Sequence, residues 1–208
     1  MSTQPSVRER IMDAAEGLVL AHGFNATRVD AIIAAADASK GAFFHHFPSK
    51  EALGQALVDR YAARDADMLE LFMKTAEKRS DDPAEQVVSF VEQFAGLADE
   101  ITSQMPGCLF VSFVYERGPT GVNEDDVIAE SVVLWRNTIL EKLELAAETR
   151  PALAAMDLPA LADLVFSTFE GAFVLVRATN DRSHLRRQLL LLQNHYEMLL
   201  GVEAPHPM

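Results

Sequence analysis

Ser39-Lys40-Gly41-Ala42-Phe43-Phe44-His45-His46-Phe47-Pro48-Ser49-Lys50 reads as a very short helix, a tight exit and the start of a second helix. Ser39 is a good N-cap, because its hydroxyl can accept a hydrogen bond from a free backbone N–H of the following turn. Phe43 and Phe47 are four apart and share one helix face, so they anchor the short helix inward. Pro48 stops that helix, and Ser49 caps the next one. The same spacing turns Lys40, His45 and His46 outward and sets Lys50 at a helix N-terminus. Such a unit can grip phosphates and reach into a groove.

The residues before it complete a motif. Ser6 to His22 has a helical period, with Ile11, Ala14, Ala15, Leu18 and His22 on one face. Gly23 ends this helix, as glycine does at the C′ position. Thr27 followed by Asp30 has the form of a capping box with Asp in place of Glu. The helix it opens runs to about Ala36, with Val29, Ile32 and Ala36 inward, and Asp37-Ala38 turn the chain into Ser39. Two short helices with a turn of this length make a helix-turn-helix, whose second helix is expected in the DNA major groove.

From Arg8 to about Tyr61 the chain resembles the tetracycline-repressor (TetR) family of bacterial transcription regulators. The matching positions are Arg10-Ile11, Ala14-Ala15, Gly23-Phe24, Thr27, Ile32, Ser39-Lys40-Gly41, His46-Phe47 and Ser49-Lys50-Glu51-Ala52-Leu53. The resemblance implies an all-α fold. A three-helix DNA-binding domain (residues 1–54) would precede a helical effector-binding and dimerisation domain (residues 55–208). It also implies a DNA-binding set of Thr27, Arg28, Ser39, Lys40, Gly41, Phe44, His45, His46 and Lys50. Arg28, Lys40, Gly41 and His45 would face the groove or its edge, and Thr27, His46 and Lys50 would hold phosphates; for Arg28 alone, the residues equally allow a side chain that merely faces water.

Some positions depart from the family pattern. Phe44 stands where Tyr is usual, which removes a hydroxyl that commonly bonds a phosphate without touching base readout. Asp37 replaces a turn glycine, and Asp tolerates left-handed geometry better than most residues. Ile33 sits where Ala is frequent and Ala38 where Val is frequent, an exchange of bulk that conserves packing volume.

Composition agrees with this reading. A chain of 208 residues with 49% hydrophobic side chains can bury a sizeable core. It has no apolar run of membrane-spanning length and no signal-peptide core in Met1 to Ser6, so a cytoplasmic protein is expected. A single cysteine rules out an intramolecular disulfide framework. The net charge of −13 is unusual for a DNA binder. Residues 1–60 hold six lysines and arginines against seven acids, whereas residues 61–208 hold twelve against twenty-four. The acidic excess therefore lies away from the expected DNA face, and binding should rest on a few placed phosphate contacts and on dimerisation. His45 and His46 do not read as a metal pair, since adjacent helical residues diverge and no Cys or carboxylate completes a site.

Beyond Lys50 the chain stays helical. Ala52, Leu53, Ala56, Leu57, Tyr61, Met68, Leu71 and Phe72 suggest a long connecting helix. Asp82 caps a new helix with Pro83 at its first position, and Val87, Phe90, Val91, Phe94, Leu97 and Ile101 form its stripe. Pro106-Gly107 precedes a short apolar helix from Cys108 to about Glu116. Gly118 to Gly121 form a loop, and Asn123 caps a helix carrying Val127, Ile128, Val132, Trp135, Ile139 and Leu143. Two further helices follow, one from about Asp157 and one capped by Asp181 or Ser183. Leu189 to Leu192 and Leu199-Leu200 make the last helix apolar around more than one face, which a partner usually buries. By resemblance, Leu164, Phe173, Leu185, Leu189, Leu192 and Tyr196 would form the interface of a homodimer. A two-fold dimer predicts a palindromic operator.

Two readings stay open for the aromatics Phe72, Phe90, Phe94, Phe110, Phe113, Trp135, Phe166 and Phe169. They line an effector pocket between helices, or they fill the core. Cys108 likewise reads as a thiol sensor at a helix N-terminus, like cysteines in a branch of the family, or as a small buried hydrophobe. The expected function is a DNA-binding transcriptional regulator, most readily a repressor. It would leave a double-stranded DNA operator when a small-molecule effector binds or a thiol is modified. An enzyme is disfavoured because no phosphate-binding glycine loop, nucleophile motif or metal set occurs, and no cofactor is implied. A helix-turn-helix adaptor acting through protein contacts without DNA is the other alternative.

Overall fold

The computed structural model describes residues 5–104, 107–116 and 126–202, which form ten helices and, among the described residues, no strand. They are α1 (Val7–His22), α2 (Val29–Ala35), α3 (Lys40–His46), α4 (Lys50–Arg79), α5 (Pro83–Gln104), α6 (Leu109–Glu116), α7 (Val127–Ala147), α8 (Pro151–Ala154), α9 (Leu158–Thr179) and α10 (Ser183–Leu200). The expected features at Pro106, Gly118 to Gly121 and Asn123 lie outside the described residues.

Local chemistry sets the helix ends. Ser6 accepts the Glu9 N–H while the Glu9 carboxylate accepts the Ser6 N–H, a reciprocal cap at the start of α1. Gly23 closes α1 at φ 88°, a region that glycine enters without strain. The box expected at Thr27 and Asp30 does not form. Arg28 occupies the N-cap position of α2 without a side-chain bond, and the Thr27 hydroxyl donates backwards to the Gly23 carbonyl at 2.7 Å. Ser39 and Ser49 cap α3 and α4 as expected, accepting from Ala42 N–H and Ala52 N–H at 3.1 Å each. Asp82 takes the Ala84 N–H ahead of α5, and Asp157 takes the Ala160 N–H in α9. Asp181, and not Ser183, accepts at the start of α10, from the Ser183 N–H.

The chain divides into two compact units, Met1–Arg64 with Cys108–Ile128 and Asp65–Gly107 with Ala129–Met208. Helix α4 therefore contributes to both, and α6 belongs with the N-terminal helices. In the first unit the buried face of α1 is Ile11, Met12, Ala15, Glu16, Val19 and Leu20. This stripe is rotated from the expected one. His22 is exposed and Ala14 and Leu18 are only half-buried, because Met12 and Glu16 turn inward instead. Glu16 is buried because two guanidiniums meet it: Arg60 at 2.6 Å and Arg64 at 2.6 Å, with Arg60 also reaching Asp13 at 2.7 Å. This network fastens α4 to α1.

In the second unit α10 packs against α5 and α9. Leu185, Leu189, Leu192 and Tyr196 of α10 and Phe173 of α9 are buried within this unit, with Tyr196 donating to the Leu161 carbonyl at 2.6 Å. Within the single chain they are core residues, and Leu164 is half-buried. The apolar side chains left exposed on these helices are Val174, Leu175, Leu190, Leu191 and Met198. Leu71 and Leu97, placed in core stripes by periodicity, are also exposed, and Leu69 and Ala98 are buried in their place. Contrary to expectation, α9 is long and apolar enough to cross a membrane by length and composition alone, with a mean hydropathy of 1.5 over its apolar window. One face of it, Ala162, Val165, Phe169, Ala172, Phe173 and Val176, is buried in the unit.

Glu16→Ala should remove the two ion pairs that fasten α4 to α1, while Arg60 keeps Asp13, and destabilise the first unit by roughly 1 to 2 kcal/mol, seen as a lower urea midpoint at unchanged far-ultraviolet dichroism.

Candidate nucleic-acid interface

Helix α3 stands on Phe43 and Phe47, which are 0% and 3% exposed, with ring centroids 6.1 Å apart. The guanidinium of Arg8 lies over the Phe47 ring at 5.3 Å. With that face buried, Lys40, Gly41, Phe44 and His45 are exposed and His46 is half-buried. Phe44 remains 44% exposed, its ring edge-on to Phe43. A side chain at Gly41 would meet nothing nearer than the Ser39 hydroxyl at 3.9 Å, so glycine here leaves the outer surface of the first turn bare. Arg28 is exposed at the start of α2. The expected groove set of Arg28, Lys40, Gly41 and His45 thus shares solvent-facing positions on α2 and α3.

The turn between α2 and α3 is held from α1. Asp37 adopts φ 48°, the left-handed region, where its short polar side chain is tolerated. Arg10 donates from Nε to the Ala36 carbonyl at 3.1 Å and from Nη2 to the Asp37 carbonyl at 3.3 Å. These carbonyls close α2, and a cation is favoured at a helix C-terminus. Nothing local in the sequence signals this contact, which joins residues 26 and 27 apart.

Two expected phosphate ligands are engaged elsewhere. Thr27 is 3% exposed and its hydroxyl is spent on Gly23. Lys50 donates to the Asn25 carbonyl at 3.2 Å and its ammonium lies over the Phe24 ring at 4.6 Å. Both therefore serve the turn that leads into the motif. Helix α6 grips the same turn. Glu116 accepts the Asn25 N–H at 2.6 Å, and Phe113 packs on Phe24 with centroids 4.8 Å apart. Gly54 of α4 permits this, because a Cβ there would come within 2.7 Å of the Phe24 ring. A cleft of about 220 Å³ opens beside the turn, lined by Asn25, Gln55, Glu51 and Glu116 among others.

The expected effector residues separate. Phe110 packs on Tyr61 in the first unit, and Cys108 is buried there, its Sγ accepting from the Tyr61 hydroxyl at 3.8 Å. Phe72, Phe90, Phe94, Trp135 and Phe169 come together in the second unit with Phe166. The sequence reading missed the carboxylate at this cluster. Asp65 of α4 is buried and accepts the Trp135 indole N–H at 2.7 Å. Burial pushes its pKa up to about 6, against the opposing pull of the indole bond. In the sequence, Asp65 is one acid among many on a polar-looking helix.

Comparison with known proteins places this architecture. Residues 11–57 match the family described as bacterial regulatory proteins, tetR family. Residues 83–188 match the transcriptional regulator LmrA/YxaF-like C-terminal domain. The HTH-type transcriptional repressor DhaR of Mycobacterium sp. (strain GP1) is 26% identical over 202 residues, covering 93% of this chain and 92% of DhaR. The A-factor receptor protein of Streptomyces griseus is 25% identical over 187 residues, covering 89% of this chain and 60% of that protein. A TetR transcriptional regulator from Chloroflexus aurantiacus J-10-FL superposes with a TM-score of 0.74 at 24% identity, covering 91% of this chain and 93% of that one. The chain belongs to the tetR family of bacterial transcriptional regulators.

Because the Asp65 pKa is raised in the folded state, the stability it contributes is full below the ordinary carboxylate pKa and is lost as pH rises through about 6. Asp65→Asn keeps an acceptor for Trp135 but no charge. It should unfold at higher urea than the wild type at pH 7.5, by about 2 to 3 kcal/mol at most, with the gap closing by pH 4.

Proposed function

We propose that this protein is a homodimeric repressor that binds a palindromic operator through α3 and leaves it when a small molecule occupies the second unit. The observation that carries the reading is the outward face of α3. It presents a lysine, a bare glycine, an exposed phenyl ring and a histidine on a rigid aromatic base. That combination suits a major groove: cations for phosphates, close backbone approach at Gly41, and side chains for base edges. With the Thr27 hydroxyl bonded to Gly23 and the Lys50 ammonium to Asn25, Lys40, Arg28 and His46 carry the phosphate contacts, and Ser39 contributes the cap that orients the first turn.

The exposed leucines and methionine of α9 and α10 support the dimer. Val174 and Leu175 on α9, and Leu190, Leu191 and Met198 on α10, are apolar positions that stay exposed in the single chain. Gly171 on the same helix has open space where a Cβ would be, which lets a partner helix approach closely. Two copies joined there present two α3 helices to two half-sites. The names of DhaR, a repressor, and of the A-factor receptor favour repression and ligand response for this chain as well. The covered Cys108 thiol favours a reversible ligand over thiol modification as the releasing event.

Footprinting on the DNA upstream of the protein's own gene should show two protected half-sites related by a two-fold axis. Lys40→Ala should weaken that binding by about tenfold or more and flatten its salt dependence by about one logarithmic unit per subunit. Leu191→Glu should give a folded monomer that protects neither half-site. Protection by the monomer, or none by the wild type after selection from random sequence, would refute the reading.

A further inference from the structure

A buried carboxylate normally has a counter-charge or several hydrogen bonds, and among the described residues Asp65 has neither. Its one partner among the described residues is the indole N–H of Trp135. Among the described residues no arginine, lysine or histidine pairs with it, although neighbouring elements show such pairs readily, for instance Arg136 with Asp163 and Lys142 with Glu77. An asparagine would hold the indole equally well and would not carry a charge into an apolar surrounding. The charge itself therefore needs an explanation, and a group with an unsatisfied electrostatic demand in an aromatic setting marks a binding site.

The surroundings specify what would satisfy it. Trp135 sits at the centre of a ring cluster, with centroids of Phe90, Phe94, Phe166 and Phe169 at 6.3, 5.2, 5.8 and 6.0 Å. Ring faces attract cations, and the attraction grows where water is excluded. A buried carboxylate held at the indole edge of an aromatic cluster is complementary to one chemical class, an organic cation with an apolar body. Phe166 is only half-buried and Asp65 keeps 9% exposure, so the cluster is not sealed. We propose that Asp65 and the rings around Trp135 bind the positively charged nitrogen or phosphorus centre of an aromatic or bulky apolar effector. This rests on the reading of the chain as a ligand-responsive regulator and adds the charge class of the ligand. An anionic or neutral effector would leave Asp65 uncompensated or worsen its position.

Trp135 is the sole tryptophan, so selectively excited tryptophan fluorescence reports on this cluster. The purified full-length protein would be titrated with 2-phenylethylammonium, benzyltrimethylammonium and tetraphenylphosphonium, beside the uncharged 2-phenylethanol and the anion 3-phenylpropionate. At least one cation should give a saturable change, with the alcohol and the anion at least tenfold weaker. Asp65→Asn should remove that preference, and Asp65→Glu should keep it at reduced affinity. The same cation should release the protein from DNA in a gel shift. Equal response to alcohol and cation, an unchanged preference in Asp65→Asn, or no saturable change with any of the three cations would overturn the proposal. A protein that binds DNA but ignores the cations keeps the regulator reading without this site. One that binds the cations but no DNA keeps the site and loses that reading.

Discussion

The guanidinium of Arg10, donating to the carbonyls of Ala36 and Asp37, is the contact on which the presentation of α3 depends. Helix α3 has seven residues, too few to be stable alone. It exists because its aromatic face is buried and because the turn before it is fixed. That turn contains a non-glycine residue in left-handed geometry, a conformation that persists only when its surroundings enforce it. Arg10 enforces it by satisfying the end of α2 and tying the turn to α1. Phe43 and Phe47 then set the rotation of α3, so that Lys40, Gly41, Phe44 and His45 face outward together.

A second clasp controls the entrance to the motif. The Gly23 to Asn25 turn is held by Lys50 and Gly54 of α4 and by Phe113 and Glu116 of α6. Both helices are continuous in the chain with the second unit: α4 runs into it past Arg64, and α6 lies between segments that belong to it. A ligand can change DNA affinity only by favouring one arrangement of the protein over another. Asp65, one residue beyond the first unit on α4, lies on the same helix as Lys50 and Gly54.

The helix-turn-helix was legible because its signals are local. Ser39, Ser49 and Asp82 cap where their chemistry predicts, and Phe43 and Phe47 bury at the expected spacing. The Ser6–Glu9 box is as local a signal as these but was not read from the sequence, while the pair at Thr27 and Asp30 fails because the Thr27 hydroxyl bonds Gly23. What the sequence could not reveal depends on contacts between distant residues. The Lys50 ammonium over Phe24 and its bond to Asn25 are long-range contacts that no local pattern announces. Leu189 and Tyr196 read as interface until α5 and α9 are found covering them, which leaves Leu191 and Met198 exposed instead. Glu16 and Asp65 carry no local sign of burial in the sequence, and each is buried with a partner on another helix.

The most direct test of this account is the operator affinity of Arg10→Met. Methionine keeps much of the apolar stem and removes both donors. The account predicts a helical, dimeric protein whose affinity falls at least about tenfold, equivalent to about 1.4 kcal/mol, because α3 is no longer held in one orientation. Wild-type affinity in a folded Arg10→Met protein would contradict it and would mean that the aromatic base alone positions α3.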